Sequence, residues 1–399
     1  MAEADNPADY CAPPPFEVEA QGHKLSFKPS GPERLETLLA LINGAQECLK
    51  VAFYVFATDN CGTQVRDALV AAARRGVDVH LILDGFGAVA DEEFFTPLIE
   101  AGGAFCRFIP KWNRRYLIRN HQKIVLVDSK IAMLGGFNVE DPYFAMPDED
   151  GWADLGFTVE GPILERVESW FDELERWVLS PKASLRTIRR LLLNWDGGDG
   201  PVQLLIGGPT GRLSSWARRV SEDLVECQRL DMAMAYFSPS RGLSRRIRRI
   251  PKRGGEARLL LPAKSDHGAT IRAARSYHAR LLRSGVKIWE FEACRMHLKM
   301  IVLDDTVYLG SANFDARSLY INLEIVLCIE DAGLAARMRE FFEGMLPASQ
   351  EITPEFHKRR ATWFNRMRWR LALFFVVAVD YALTRRLNLD EPLTPLAEN

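Results

Sequence analysis

Two short apolar runs stand out along the chain, Ile124-Val125-Leu126-Val127 and Met300-Ile301-Val302-Leu303. Each is partly β-branched and bounded by polar residues, the pattern of a buried strand. The same alternation of elements leads up to each run. Gly31-Pro32 opens a helical stretch, followed by a strand over 49–56, a helix over 62–75, a strand over 77–83, a helix ending at Gly102, and a further strand. Gly208-Pro209 opens a second series, with a helix through Cys227, a strand over 230–237, a helix over 242–249, a strand over 257–261 and a helix ending at Gly285. This order predicts two α/β units, and an internal repeat of this kind predicts a pseudo-twofold axis between them. Such an axis brings equivalent strand ends to one cleft, so neither unit holds a complete site.

The polar residues at the head of each apolar run also repeat. His121-Gln122-Lys123 is followed by four residues, Asp128, and then Gly135-Gly136-Phe137-Asn138. His297-Leu298-Lys299 is followed by four residues, Asp304, and then Gly310-Ser311-Ala312-Asn313. From the Asp to the first Gly the interval is six residues in the first copy and five in the second. In an extended chain, residues two apart share a face. His121 and Lys123 therefore point together, as do His297 and Lys299. An imidazole beside an ammonium suits a phosphate: the Lys binds the anion, while the His attacks phosphorus or moves a proton. Gly135-Gly136 and Gly310-Ser311 are expected to let the backbone approach a bound anion. Asn138 and Asn313 carry N–H donors for its oxygens. Gly136, Ser311, Asn138 and Asn313 are thus the expected phosphate-binding set. Asp128 lies seven residues beyond His121, roughly 20 Å along a strand, so it and Asp304 are expected to cap turns. The carboxylates that orient the imidazoles must come from elsewhere, and Asp154 and Glu324 are the candidates. No metal and no cofactor is needed for a site of two His, two Lys and two Asn.

A length of 399 residues accommodates two ordinary domains. With 47% hydrophobic and 26% charged residues, a packed core is expected. The formal net charge of −2 makes no global attractor for nucleic acid. Seven scattered Cys, with no CxxC and no visible signal peptide, read as reduced thiols of a cytoplasmic protein, and Cys294 as a packing thiol. Residues 1–22, rich in Pro and polar residues, read as a disordered or loosely docked arm. Pro110 to Tyr116 form a basic and aromatic stretch beside the first His, suited to a lipid headgroup or to a solvated loop. Residues 139–151 are an acidic loop that would repel a polyanion. Seven Arg and Lys between Arg241 and Arg253 read as a solvated basic helix face, with contact to anionic lipid or nucleic acid as the functional alternative. His23, His80, His267, His278 and His357 are unclustered in the sequence and receive no role.

The C-terminal segment, 356–399, carries Lys358-Arg359-Arg360, Trp363-Phe364 and Arg366 to Arg370 ahead of an apolar stretch from Leu371 to Leu383. At ~1.5 Å per residue that stretch rises only about 20 Å, short of the roughly 30 Å of a hydrocarbon core. Arg and Trp flanks around a short apolar helix suit an interfacial or shallowly inserted anchor, against the plainer reading of a helix buried on the protein body.

The duplicated H-x-K…D pattern resembles the phospholipase D superfamily, and most of all bacterial cardiolipin synthases. These carry an R-N-H-x-K opening (Arg119 to Lys123), G-G-x-N and G-S-x-N, then W-x-D-L and E-G-P, matched by Trp152 to Leu155 and Glu160-Gly161-Pro162. They also carry N-x-D-x-R-S and N-x-E, matched by Asn313 to Ser318 and Asn322 to Glu324. The likeness runs from about residue 31 to about 330. Many members begin with two membrane-spanning helices; none is expected here, as in the shorter subtype. The resemblance implies two pseudo-twofold-related phospholipase D-like α/β domains with mixed sheets flanked by helices, over 23–200 and 201–355, plus a C-terminal membrane-associating helix. It implies a catalytic set of His121, Lys123, Asp128, His297, Lys299 and Asp304, with His121 as nucleophile and His297 as acid and base. The implied reaction is phosphatidyl transfer, forming cardiolipin from phosphatidylglycerol, or with phosphatidylethanolamine as one partner, through a phosphohistidine. The expected partners are phospholipid and an anionic membrane surface, at the cytoplasmic face of the cell membrane, with no nucleic acid. Hydrolysis to phosphatidic acid is the near rival, since only the acceptor differs. A metal-independent nuclease is the distant one, disfavoured by the near-neutral charge, the acidic loop and the C-terminal anchor. A catalytically dead scaffold is a third class, disfavoured because both motif copies are intact.

Overall fold

The structure is a computed structural model describing residues 10–109, 118–211, 213–265 and 267–386, the last ten of these by backbone alone. The first unit runs β1 (Phe16–Ala20), β2 (His23–Lys28), α1 (Gly31–Gly44), β3 (Cys48–Phe53), α2 (Asn60–Arg74), β4 (Asp78–Asp84), α3 (Thr96–Glu100), β5 (Ala104–Phe108), β6 (Ile124–Val127), β7 (Ile131–Gly135), β8 (Trp152–Ala153), β9 (Gly156–Glu160), α4 (Leu164–Leu179) and α5 (Leu185–Asn194). The second begins β10 (Val202–Gly207), α6 (Ser215–Glu226), β11 (Arg229–Met234), α7 (Arg241–Lys252), β12 (Glu256–Pro262), α8 (Gly268–Leu282) and β13 (Lys287–Phe291). It continues β14 (Arg295–Met296), β15 (Lys299–Leu303), β16 (Thr306–Gly310), α9 (Ala316–Tyr320), β17 (Glu324–Glu330), α10 (Ala332–Met345) and β18 (Ser349–Glu351), followed by α11 (Pro354–Arg360) and α12 (Trp363–Arg386).

Among the described residues each unit forms one eight-stranded mixed sheet, in the orders β1-β2-β9-β7-β6-β3-β4-β5 and β10-β17-β16-β15-β11-β12-β13-β18. Seven strands correspond one to one, β2 with β10 through β5 with β13, with the same senses. β3-β4-β5 and β11-β12-β13 are parallel, and the other neighbours are antiparallel. The parallel strands need crossover helices, which α2, α3, α7 and α8 supply. β1 and β18 extend the two sheets at non-equivalent edges. One apolar core lies between the sheets and takes in α4, α5 and α10, with Trp170, Phe171, Leu204 and Phe342 fully buried. Each outer sheet face has its own core, under α1–α3 in the first unit and under α6–α8 in the second. The motif strands β6 and β15 lie inside their sheets, and every residue of both is buried, which accounts for their unbroken apolar runs.

The unequal Asp-to-Gly interval is absorbed in the hairpins that follow. β6 and β7 close at Val127↔Ile131 around three residues, with Asp128 and Ser129 at positive φ of 49° and 53°. β15 and β16 close at Leu303↔Thr306 around two. Asp128 and Asp304 sit in these turns, at the ends of β6 and β15 away from the histidines. The Asp128 carboxylate accepts backbone N–H bonds from Gln46, Glu47 and Cys48 at 2.8–3.3 Å, which fixes the start of β3. Asp304 accepts those of Gln228 and Arg229, at the start of β11. Both were expected in the catalytic set by resemblance. The structure corrects that, because each carboxylate is engaged by backbone amides of a neighbouring strand.

The arm is corrected as well. Residues 1–9 lie outside the described residues, but Phe-Glu-Val-Glu-Ala alternates with period two and forms β1, hydrogen-bonded along its length to β2. Phe16 stacks on Phe27 at 4.7 Å, and Tyr10 meets Phe291 of the second unit edge-on at 5.0 Å. The Pro-rich composition hid a strand only five residues long. At the other end, α12 packs along α8, burying Trp369 and Ala372. Among the described residues no helix is long and apolar enough to cross a membrane.

Asp128→Ala tests the turn role. Hydrogen bonds to a charged group contribute about 1.5–3 kcal/mol, so urea denaturation should show a loss of that order, with turnover per folded molecule unchanged. Partial burial works against the anion, but the Cys48, Glu47 and Gln46 amides outweigh it and hold the Asp128 pKa below the usual range. This part of the stability is present above the ordinary Asp pKa and fades as pH falls through the lowered one. Lost turnover at unaltered stability would return Asp128 to the chemistry.

Candidate active site

The histidines sit at a seam where each unit's backbone meets the other's. The His121 N–H donates to Leu323 O at 2.9 Å and the Leu323 N–H donates to Arg119 O at 2.8 Å. By the same pattern, His297 N–H donates to Ala153 O at 2.8 Å, and β14 pairs in parallel with β8. Each motif His is therefore aligned with the residue just before an acid of the opposite unit. The side chains complete the crossing. His121 Nδ1 lies 3.0 Å from Glu324 Oε2, and His297 Nδ1 lies 2.9 Å from Asp154 Oδ2. Both pairs are buried. With Nδ1 held by a carboxylate, Nε2 is the ring atom left for chemistry.

The two carboxylates are braced differently. Glu324 accepts the hydroxyls of Ser311 and of Ser318, the latter at 2.7 Å. Ser311 Oγ also accepts the Ile325 N–H at 3.1 Å. Gly136 is the first-copy counterpart of Ser311, and a Cβ there would stand 2.9 Å from Asp154 Oδ1 and 3.2 Å from His297 O. Both positions were expected to line a phosphate. The structure instead sets Ser311 against Glu324 and leaves Gly136 without a side chain because Asp154 and His297 fill the space. Asp154 Oδ1 accepts the Leu155 N–H at 2.8 Å. Around it, the fully buried Arg34 of α1 donates to the carbonyls of Lys28, Pro29, Tyr143, Trp152 and Asp154. Burial pushes this guanidinium's pKa down, while the Asp154 charge opposes the fall.

Each lysine folds back on its own histidine, Lys123 Nζ to His121 O at 2.6 Å and Lys299 Nζ to His297 O at 2.6 Å. Lys299 Nζ also lies 2.9 and 3.1 Å from the two ring nitrogens of His297. Two ammonium groups and two imidazoles are thus crowded where water is scarce. Burial lowers the His121 pKa to about 4 despite Glu324. The His297 pKa is lowered by burial and then by Lys299, against the pull of Asp154. Burial brings Lys123 down to about 7, with Glu324 opposing and Lys299 adding to the fall. Burial thus disfavours the charged forms of these groups, and a bound anion favours them.

Asn138 and Asn313 are both buried. Asn138 Oδ1 accepts the Val55 N–H at 3.1 Å and its Nδ2 donates to the Tyr143 hydroxyl at 3.0 Å, which among the described residues leaves one Nδ2 hydrogen. Asn313 Oδ1 and Trp152 Nε1 are buried and make no hydrogen bond among the described residues. Apart from Trp152, quoted in the W-x-D-L match, several neighbours carry no sequence expectation. Tyr54, at the end of β3, lies 5.0 Å from the His121 ring, and Tyr236, at the end of β11, lies 6.1 Å from the His297 ring. Tyr143 and Trp152 flank His297 at 5.1 and 5.7 Å. In the repeat Tyr54 corresponds to Ala235 and Tyr236 to Val55, so aligning the two copies does not pair the tyrosines, and Arg34 carries no sequence signal either. The Cys294 thiol is buried, and burial raises its pKa to about 11, as expected of packing. In the acidic loop, Asp141 caps Cys61 N and Asp150 pairs with Arg295 at 3.0 Å, so part of its charge is structural. The 110–116 stretch lies outside the described residues but for its neighbour Arg119, whose guanidinium stacks 3.7 Å over Phe86.

Two like-folded units sharing one pair of crossed His–carboxylate dyads define a doubled phospholipase D-type fold. A family model described as "Cardiolipin synthase, PLD-like domain" matches residues 38–175 and 225–346. Cardiolipin synthase 1 of Bacillus cereus is 30% identical over 353 residues, 83% of this chain and 68% of that protein. Cardiolipin synthase B of Shigella flexneri is 28% identical over 396 residues, 95% of each. In fold, the chain is similar to the phosphatidylserine synthase of Haemophilus influenzae, with a TM-score of 0.73 over 93% of this chain and 96% of that one at 17% identity. The chain belongs to the cardiolipin synthase, PLD-like domain family.

Inorganic phosphate should bind with net proton uptake, on the order of one proton near neutral pH, because the anion favours the charged forms of His121, His297 and Lys123. Titration calorimetry in buffers of different ionisation enthalpy reads this directly, and Lys123→Met should reduce the uptake. An enthalpy independent of buffer would sink the electrostatic account. Arg34→Lys retains charge but loses the planar fork that serves five carbonyls. Several buried acceptors left open, at about 1–3 kcal/mol each, should make it one of the most destabilising single changes in the chain. A melting temperature near that of the parent would show that Arg34 braces nothing.

Proposed function

We propose that this chain is a phosphatidyltransferase that forms cardiolipin from phosphatidylglycerol through a phosphohistidine. The observation that carries the proposal is the crossed pair of buried imidazoles, each with Nδ1 on a carboxylate of the other unit. In the proposed first step, His121 Nε2 attacks phosphorus and a P–N bond forms as the P–O bond to the leaving glycerol breaks. His297, charged once the phosphodiester anion has arrived, gives its Nε2 proton to the departing oxygen. In the second step, neutral His297 takes the proton from the hydroxyl of a second phosphatidylglycerol. That oxygen attacks phosphorus and the P–N bond breaks. Two in-line displacements replace one difficult step. Lys123, Lys299 and the Asn138 and Asn313 side chains stabilise charge on the equatorial oxygens. Glu324 and Asp154 hold the rings in the productive tautomer and stabilise each imidazolium.

The choice of His121 as nucleophile follows the family resemblance, since the two motif copies are nearly symmetric. Phosphatidylethanolamine fits the same chemistry as one partner. The basic, aromatic C-terminal segment supports work at an anionic membrane surface, peripheral or shallowly inserted, and the cytoplasmic face is proposed with it.

Purified protein with phosphatidylglycerol vesicles and chelator should yield cardiolipin and glycerol. Phosphatidic acid as the main product would make the enzyme a hydrolase, and cleavage of single-stranded DNA without lipid turnover would end the lipid reading. His297→Ala should trap the phosphatidyl label on His121; label on His297 in the converse variant would reverse the roles.

A further inference from the structure

α12 has two apolar sides, and among the described residues only one of them is covered by protein. Trp369 and Ala372 are buried on α8, with Leu373 half-buried beside them. On another side, Trp363, Met367, Leu371 and Phe374 follow at steps of four, four and three residues, which lines them up along one face of a helix. Phe364 and Phe375 lie beside them. All six are exposed, Trp363 to 74% and Phe374 to 63%. Large apolar side chains left in water as one continuous stripe mark a contact surface.

The borders of the stripe are basic. On one side a groove of about 630 Å³ runs between α8 and α11–α12, lined by Arg280, Arg283, Lys358, Arg366, Arg370 and the ring of Trp369. Arg275 in the same groove is already neutralised by a two-pronged pair with Glu290 at 2.6–2.8 Å. The five named cations are all exposed. On the other side, Arg272 and Arg368 flank Leu371, Ala372 and Phe375. α8 contains no Asp or Glu, and Glu355 is the one acid between 354 and 376, in a chain whose net charge is −2. Positive charge is therefore concentrated around this stripe.

We infer that the α8–α12 face docks on an anionic phospholipid surface, with the aromatic stripe in the interface and a lipid headgroup phosphate in the groove between α8 and α11–α12. Arg and Lys stems pack along the apolar border while their charges meet phosphates, and Trp and Phe sit at headgroup depth. The helix lies along the surface rather than through it, in keeping with the short apolar stretch. α12 also contacts α9, the short helix between Asn313 and Glu324, so the docked helix adjoins the segment that carries the second unit's site residues. The inference rests on the lipid reading above, but it is tested separately from turnover.

The full chain is sedimented with vesicles of phosphatidylcholine alone or with added phosphatidylglycerol, and turnover is assayed in parallel on phosphatidylglycerol dispersed in detergent. The parent should bind only the anionic vesicles. Arg366→Gln with Arg370→Gln should weaken that binding roughly 10- to 30-fold, since each basic residue near an anionic surface is worth about a factor of five. Leu371→Glu with Phe374→Glu should abolish it. Both double variants should keep parental turnover in detergent, which shows that they fold. Anionic-vesicle binding that survives both double changes would overturn the inference. So would a stable dimer that the Glu variant dissociates in the absence of vesicle binding, because the stripe would then belong to a second copy. Absence of turnover in detergent by the parent would instead count against the phosphatidyl-transfer reading, and the vesicle result would still decide the docking face.

Discussion

The structure depends on a reciprocal debt of charge between its two units. Each contributes one imidazole that needs a carboxylate and one carboxylate that needs an imidazole, and the needs are met only across the seam. Glu324 and Asp154 are buried, and an ionised carboxylate taken out of water without partners is strongly unfavourable. The backbone pairs at Asn120↔Leu323 and Met296↔Ala153 fix the register, so the acid one residue further on meets the histidine one residue further on. A slip of one residue would turn both side chains to the wrong face. The same constraint explains why the apolar core between the sheets is continuous and takes in residues of both units. Catalytic geometry and interdomain packing are one arrangement seen at two distances.

Within this symmetry the two halves diverge where it matters for chemistry. Ser311 and Ser318 hold Glu324 by hydroxyls, whereas Asp154 has a glycine at the position of Ser311 and is steadied through carbonyls that Arg34 grips. The lysines diverge too, Lys299 lying against both ring nitrogens of its histidine and Lys123 against the carbonyl alone. A duplicated motif thus ends in two unlike environments, although burial lowers the pKa of both histidines. The G-[GS]-x-N signature records that divergence in one position. Gly136 makes room for a carboxylate; Ser311 bonds to one.

How much of this was legible in the sequence follows from what each feature depends on. The motif strands are buried on both faces, so their apolar runs announced them, and the repeated order of elements foretold two sheets of the same connectivity. Asp154 and Glu324 drew attention as acids lying after each motif, but their crossing between units depends on register at the seam, which no local pattern encodes. Asp128 and Asp304 illustrate the opposite error. A family signature includes them, yet their carboxylates bind the amides that open β3 and β11, and only their distance along the strand hinted at it. Arg34 was invisible because an arginine in an amphipathic helix ordinarily faces water, and nothing nearby in sequence marks the five carbonyls it serves. β1 was missed because five alternating residues were outweighed by the prolines before them.

The sequence left a choice at the C-terminus between a helix packed on the protein and one at a membrane, and the two readings were framed as exclusive. A helix has more than two sides, and α12 uses them separately: Trp369 and Ala372 are buried against the protein while Trp363, Phe364, Leu371 and Phe374 face outward. A mean over the apolar stretch cannot separate these sides, since the inner and outer apolar residues alternate at helical spacing. The physical consequence is that the outer stripe is held rigidly by the inner one. An anchor on a loose tether would leave the orientation of the catalytic body free. One packed along α8 and touching α9 fixes the attitude of the seam to whatever the stripe lies on. On the docking proposed above, that fixed attitude would do part of the work of orienting a lipid headgroup before any side chain touches phosphorus.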